Sequence, residues 1–179
     1  MAAILAELRD LSAALLAFVQ EHRQWTVPLA FMLAFVKSLP FFPLIVPGTA
    51  LLLAIGSLIG ASGIGFIPVW IAISVGAALG DWVSYWLGRN FASAVRSSRF
   101  VARHPGLLPR GEAFFNRWGA LSIVLCRFFG PLRATVPFVA GVCAMPRTIF
   151  QIANWASAFL WAGMLLLPGA LAMTFLIGR

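Results

Sequence analysis

Chemistry in this chain concentrates between Arg127 and Asn154, in the run RFFGPLRATVPFVAGVCAMPRTIFQIAN. The run is apolar enough for a membrane, yet it holds three arginines, three prolines and two glycines. Proline removes a helix hydrogen-bond donor and glycine loosens the backbone, so one plain spanning helix is excluded. Non-helical backbone at membrane depth survives only where protein buries it or where it lines a wet cavity. Arginine in the bilayer interior likewise faces a cavity or a partner. Arg127 and Arg133 bracket the Gly130–Pro131 break, and a guanidinium offers planar, paired hydrogen bonds suited to phosphate. The competing readings are that one of them pairs with Asp81, the only acid in the apolar region, or snorkels to headgroups. Lys37 is a headgroup contact or an interfacial lysine, and Arg147, beside Pro146, reads as interfacial. Asp81 orients an arginine, carries a proton or neutralises Lys37.

These residues sit in a chain of 179 residues that is 61% hydrophobic and 10% charged, with mean hydropathy +0.95. Soluble domains carry about 25% charged residues, so the chain reads as an integral membrane protein forming a single domain over residues 1–179. The net charge of +8 would suggest nucleic acid in a soluble protein; here it marks loops held on the cytoplasmic side, and no nucleic-acid partner is expected. Cys126 and Cys143 lie in apolar surroundings and read as packing residues rather than a disulfide. The start of the chain lacks the basic region and small-residue site of a signal peptide.

Along the chain, residues 2–20 place Leu5, Leu8, Leu11, Leu15 and Phe18 at helical spacing, as an interfacial amphipathic helix or a short packed one does, rather than a span. No charge occurs from Ser38 to Gly80, but Pro40, Pro43, Pro47 and Gly48 break that stretch. A short helix from about Val27 to Leu39 enters, and TALLLAIGSLIG returns, so 27–62 reads as a re-entrant hairpin, with two kinked spans as the alternative. Residues 68–88 form a spanning helix with Asp81, Tyr85 and Gly88 on one face. Arg89 to Arg117 is a loop with six arginines against one acid, Glu112, whose part FASAVRSSRFVARH forms a helix that lies on an anionic leaflet. Residues 118–126 re-enter the membrane. From Thr148 to Gly178 one tilted crossing presents Gln151, Asn154 and Ser157 on one face, with Pro168 and Gly169 kinking its far end.

The order repeats. KSLPFFPLIVPGTALLLAIGSL is similar to LCRFFGPLRATVPFVAGVCAM, and WIAISVGAALGDWVSYWLG lines up with FQIANWASAFLWAGMLLLP. Each unit, about 1–90 and 91–179, reads as interfacial helix, re-entrant hairpin, spanning helix. One crossing per unit inverts the second relative to the first, the architecture in which transporters hold a midplane site. The expected fold is therefore an all-α membrane protein, an inverted repeat of two re-entrant hairpins plus spanning helices.

The motifs PFFPLIVPG, G-D-x-x-x-Y-x-x-G at Gly80 to Gly88, F-x-x-R-W-G from Phe114, R-F-x-G-P-x-R-x-x-x-P-x-x-A-G from Arg127, M-x-x-x-x-F ending at Phe150 and the Asn154–Trp155 pair resemble the DedA family, also called SNARE-associated or VTT-domain proteins. The resemblance spans about residues 25–170. It implies two facing hairpins, the bacterial cytoplasmic (inner) membrane, and transbilayer movement of lipid such as undecaprenyl phosphate, often linked to the proton gradient. Two positions depart from the family pattern: Lys37 and Thr49 stand where acids are usual, which weakens the case for proton coupling but not for an anionic headgroup. The expected substrate site is thus Arg127, Arg133, Lys37, Asp81, Thr49, Tyr85 and Asn154, with membrane lipids as partners and homo-oligomerisation left open. His22 and His104 have no metal-ligand spacing, and no nucleophile–base motif or phosphate-cradling loop occurs, so no enzyme, metal or cofactor is expected. A small-anion transporter and a non-transporting organiser of the membrane are the alternatives, with an integral phosphatase or transferase, for which the chain offers no catalytic residue, in third place. The topology carries a direct expectation: a cysteine placed at Ser97 reacts with impermeant reagent from the cytoplasmic side, and one placed at Ala2 reacts from the opposite side. Ser97→Cys labelling only from outside would invert the assignment.

Overall fold

The computed structural model describes residues 23–39, 65–103, 106–129 and 132–177. The helix expected at 2–20, the breaks at Pro40, Pro43, Pro47 and Gly48, Thr49, the returning stretch of the first hairpin and Gly130–Pro131 all lie outside the described residues. After a short 3₁₀ turn at Arg23–Trp25, the described elements are all helices: α1 (Thr26–Ser38), α2 (Phe66–Asn90), α3 (Ala92–Arg96), α4 (Arg99–Arg103), α5 (Leu107–Trp118), α6 (Ala120–Phe128), α7 (Leu132–Val142) and α8 (Arg147–Ile177). Among the described residues, two stretches are long and apolar enough to cross a bilayer, Phe66–Asn90 and Arg147–Pro168. The C-terminal helix continues through Pro168.

Helix α2 is the axis against which α1, α7 and α8 pack. Its sequence permits this because small residues line it: Ala72, Ala77, Ala78 and Ser84 are buried, and Gly76, Gly80 and Gly88 let neighbouring backbones come close. A Cβ on Gly80 would lie 2.5 Å from the Phe35 carbonyl oxygen, and one on Gly76 would strike the Phe31 carbonyl. On the α7 side, Gly88 abuts the Phe138 carbonyl and Gly141 abuts that of Tyr85. Close approach through small residues is how helices associate where lipid tails compete equally for apolar side chains.

The contacts also fix direction. Phe31 meets Gly76 and Phe35 meets Gly80, while Ser84 Oγ donates to the Ser38 carbonyl at 2.9 Å, so α1 and α2 run the same way. Helix α8 runs opposite to α2: Asn154 Nδ2 donates to the Ala78 carbonyl at 2.9 Å, and Trp70 Nε1 donates to that of Phe159 at 3.0 Å. Helix α6 runs with α8, since Ile123 shares a core with Phe150 and Ala153 while Arg127, a turn later, reaches Asn154 and Ser157. Helix α7 then returns along α2 as far as the Gly141–Tyr85 contact. The end of α6 and the start of α7 therefore lie level with Asp81, and α1 ends near the same level, beside Gly80 and Ser84.

The loop from Arg89 to Arg117 differs from its expected single helix. Ser97 and Ser98 separate two short helices, α3 and α4, and a further amphipathic helix, α5, precedes α6. Serine hydroxyls there bond to nearby backbone instead of leaving it to the helix: Ser97 Oγ donates to the Ala94 carbonyl at 3.2 Å, and Ser98 Oγ accepts from Val101 N–H at 3.3 Å. Gly119, with φ +48, divides α5 from α6, a conformation open to glycine at little cost.

Candidate functional site

Two helices deliver a buried ion pair, and a third supplies neutral acceptors to it. Arg127, in the last turn of α6, donates from Nη2 to Asp81 Oδ2 of α2 at 2.6 Å, and both side chains are almost wholly buried, at 2% and 4% exposure. Its Nη1 faces α8 and donates to the Asn154 carbonyl at 3.0 Å, to Asn154 Oδ1 at 3.1 Å and to Ser157 Oγ at 2.8 Å. Asn154 in turn donates to the Ala78 carbonyl. One guanidinium thus ties α6 to both long helices, and the tie depends on i, i+3 spacing of Asn154 and Ser157.

Arg133 is bound differently. It stands in the first turn of α7, buried, with its guanidinium carbon 3.7 Å from the centroid of the Trp161 ring. Its Nη2 donates to Ser38 Oγ at 3.3 Å, while its Nε has no acceptor among the described residues. Among the described residues no carboxylate lies within ion-pair distance of it. Lys37, at the end of α1, places Nζ 5.6 Å from the same indole. Trp161 therefore carries a cation from α1 and another from α7, an arrangement stabilised by the negative ring face.

Between these groups is a cavity of about 10 Å³ lined by Asp81, Arg127, Arg133, Cys126, Ile123, Val136 and Pro137, room for roughly one water. Asp81 Oδ1, Arg127 Nε and Arg133 Nε, all on lining residues, are buried without a hydrogen-bond partner among the described residues. Among the described residues, Arg127 and Arg133 line this cavity with a single carboxylate, Asp81. Among the described residues no group of three His, Cys, Asp or Glu side chains comes together as a metal would need.

Of the expected site residues, Arg127, Asp81 and Asn154 are joined by hydrogen bonds, and Arg133 and Lys37 adjoin them over Trp161. Thr49 lies outside the described residues. Tyr85 is elsewhere: its Oη donates to the Met145 carbonyl at 2.6 Å and accepts from Arg89 Nη1 at 2.9 Å, and its ring stacks on Phe150 at 4.3 Å. It fastens the turn between α7 and α8, where Ala144 holds φ 55, rather than lining the cavity. Ser38 and Trp161 were not singled out by sequence reasoning. A signal existed for Trp161, which continues the Asn154–Ser157 face at i+7 and i+4; Ser38 gave none.

The geometry separates the two arginines by role. Asp81→Ala leaves Arg127 buried without its counter-charge, which costs about 3–5 kcal/mol, and the expected result is a large fall in the thermal midpoint of the detergent-solubilised protein. The paired change Asp81→Leu with Arg127→Leu removes both charges and recovers most of that loss. If the pair is as unstable as Asp81→Ala alone, the ion pair is not what the single change disrupts.

The sequence matches the VTT domain over residues 46–171. It is 34% identical over 155 residues to the inner membrane protein YabI of Escherichia coli K12, covering 87% of this chain and 61% of YabI. An uncharacterized membrane protein of Buchnera aphidicola subsp. Acyrthosiphon pisum is 30% identical over the same length, covering 87% of this chain and 60% of its own. The inner membrane protein YghB of Escherichia coli K12 is 32% identical over 119 residues, covering 66% of this chain and 54% of YghB. The chain thus spans between half and two thirds of the length of these curated relatives, and no solved structure matches it. On the extent of the domain match, which takes in both arginines, Asp81 and the two long helices, the chain belongs to the VTT-domain, or DedA, family of membrane proteins.

Proposed function

We propose that this protein moves a phosphate-bearing lipid, a polyprenyl phosphate or a phospholipid, between the leaflets of a bacterial inner membrane. The observation that carries the reading is Arg133: a buried guanidinium at the start of α7 that, among the described residues, has no carboxylate within ion-pair distance and no acceptor for its Nε. Asp81, in the same cavity, is already paired directly with Arg127; a buried charge without a direct ion pair is costly, and an arriving phosphate offsets that cost while accepting the planar fork. Arg127 is the less available of the two, since both its terminal nitrogens already have acceptors.

The directions of the helices support an inverted repeat, with unit one about 1–90 and unit two about 91–179. Helix α1 runs with α2, α6 runs with α8, and α2 opposes α8. On this reading α6 and α7 form a re-entrant hairpin that turns near mid-bilayer, and α1 begins its counterpart. The water-sized cavity is too small for a phosphate, so the α6–α7 turn must part from α1 before a headgroup enters. Rocking of the two units about α2 and α8 exposes the arginines to each side in turn, while the lipid tails stay in the bilayer. No bond is made or broken, and the reading assigns no enzymatic step. With Lys37 at the end of α1 instead of an acid, the movement depends only weakly on the proton gradient.

The test is a proteoliposome assay with labelled polyprenyl phosphate beside an ordinary phospholipid. Arg133→Ala abolishes movement of phosphate-bearing lipid while leaving insertion and monodispersity intact, and Arg133→Lys restores only part of it because lysine lacks the planar fork. Wild-type rates in Arg133→Ala would overturn the reading. Competition by free inorganic phosphate at low concentration would favour a transporter of small anions instead.

A further inference from the structure

One face of α5 is fixed to the protein. Phe115 is buried in the core that holds Tyr85 and Phe150. Glu112 pairs with Arg96 at 2.9 Å, and Arg96 also donates to the Val142 carbonyl at 3.2 Å, so the helix is fastened to the end of α7. Gly111 packs on Cys143, whose Sγ would lie 3.2 Å from an added Cβ. The helix is therefore held with a defined side turned outward.

That outward side mixes two residue types. Arg110, Phe114 and Trp118 stand at i, i+4 and i+8, with Arg117 beside them, and all four are exposed. Phe114 and Trp118 are 41% and 43% exposed among the described residues, large apolar rings turned outward beside charge. Among the described residues neither arginine has an acidic partner. Directly after α5 the chain bends at Gly119 into α6, whose outward Leu121, Leu125 and Phe128 form a wholly apolar stripe at i, i+4 and i+7. The outer surface thus passes from arginine and aromatic to pure hydrocarbon at Gly119, which puts α5 at the level of the headgroups. Aromatic rings belong at that depth, and arginines there meet phosphates.

We propose that the outer face of α5 is a binding surface for anionic lipid headgroups of the leaflet on the arginine-rich side. Arg110 and Arg117 take the phosphates, while Phe114 and Trp118 insert among the first carbons of the acyl chains. The partner is a lipid surface rather than a protein because the same stripe supplies charge for headgroups and apolar rings for tails, and it runs on without interruption into the lipid-facing stripe of α6. A basic residue near an anionic surface is worth about a fivefold enrichment, so two arginines gather anionic lipid well beyond its bulk share. This binding is separate from transport and stands whether or not Arg133 carries a lipid.

The test uses the full chain in nanodiscs of neutral phosphatidylcholine with about one phosphatidylglycerol in ten lipids, the bromines being placed on the tails of one lipid or the other. The Trp118 signal is the difference between wild type and Trp118→Phe. With bromine on phosphatidylglycerol, Trp118 is quenched as though that lipid were roughly fivefold or more above its bulk share. Arg110→Gln with Arg117→Gln returns quenching to the bulk share, while brominated phosphatidylcholine still quenches, showing that α5 remains in place. Quenching in proportion to bulk composition in wild type, no quenching by either lipid, or unchanged enrichment in the glutamine variant would each overturn the proposal.

Discussion

A guanidinium buried among apolar helices must be given acceptors, and the way this chain supplies them to Arg127 governs the middle of the fold. Asp81 provides the counter-charge from α2, while Asn154 and Ser157 provide three neutral oxygens from α8. A pair of this kind is a poor source of net stability, because desolvation consumes most of its attraction. Its consequence is specificity: only one register of α6 against α2 and α8 satisfies the arginine, and any other leaves a bare charge in an apolar interior. The ends of α1 and α7 come to the same level under that constraint, which brings Ser38, Lys37 and Arg133 beside the pair.

The second requirement is that backbones come close enough for such short side chains to reach. Asp81 and Asn154 are short, so α2 must lie against its neighbours almost without intervening side chains. Glycine and alanine on α2, together with Gly141 on α7, remove the atoms that would hold the helices apart. Small residues and buried charges are therefore parts of one design. The first permits the approach, and the second fixes its register.

Much of this was legible in the sequence. Long uncharged runs and proline breaks located α1, α2, α6 and α8 to within a few residues, and a lone acid among three cations flagged Asp81, Arg127 and Arg133. The Asn154–Ser157 face followed from helical spacing. Tyr85 shows where such reasoning ends: four residues from Asp81 is the same face of a helix, but one turn is about 5.4 Å, enough to move a side chain from the cavity to the α7–α8 turn. Ser38 was illegible because a lone serine has no periodic partner to mark it. The fastening of α5 through Glu112 and Arg96 was hidden for another reason, since a pair separated by 16 positions across a loop leaves no pattern in the chain.

The central claim is that Arg133, not Arg127, receives the phosphate. An experimental structure of the protein solved with a bound polyprenyl phosphate tests this most directly. The account predicts phosphate oxygens within hydrogen-bond distance of the Arg133 guanidinium, the α6–α7 turn displaced from α1, and the Arg127–Asp81 pair intact. A phosphate seated only among the arginines at the headgroup end, with Arg133 still stacked on Trp161 and bound to Ser38, would contradict it.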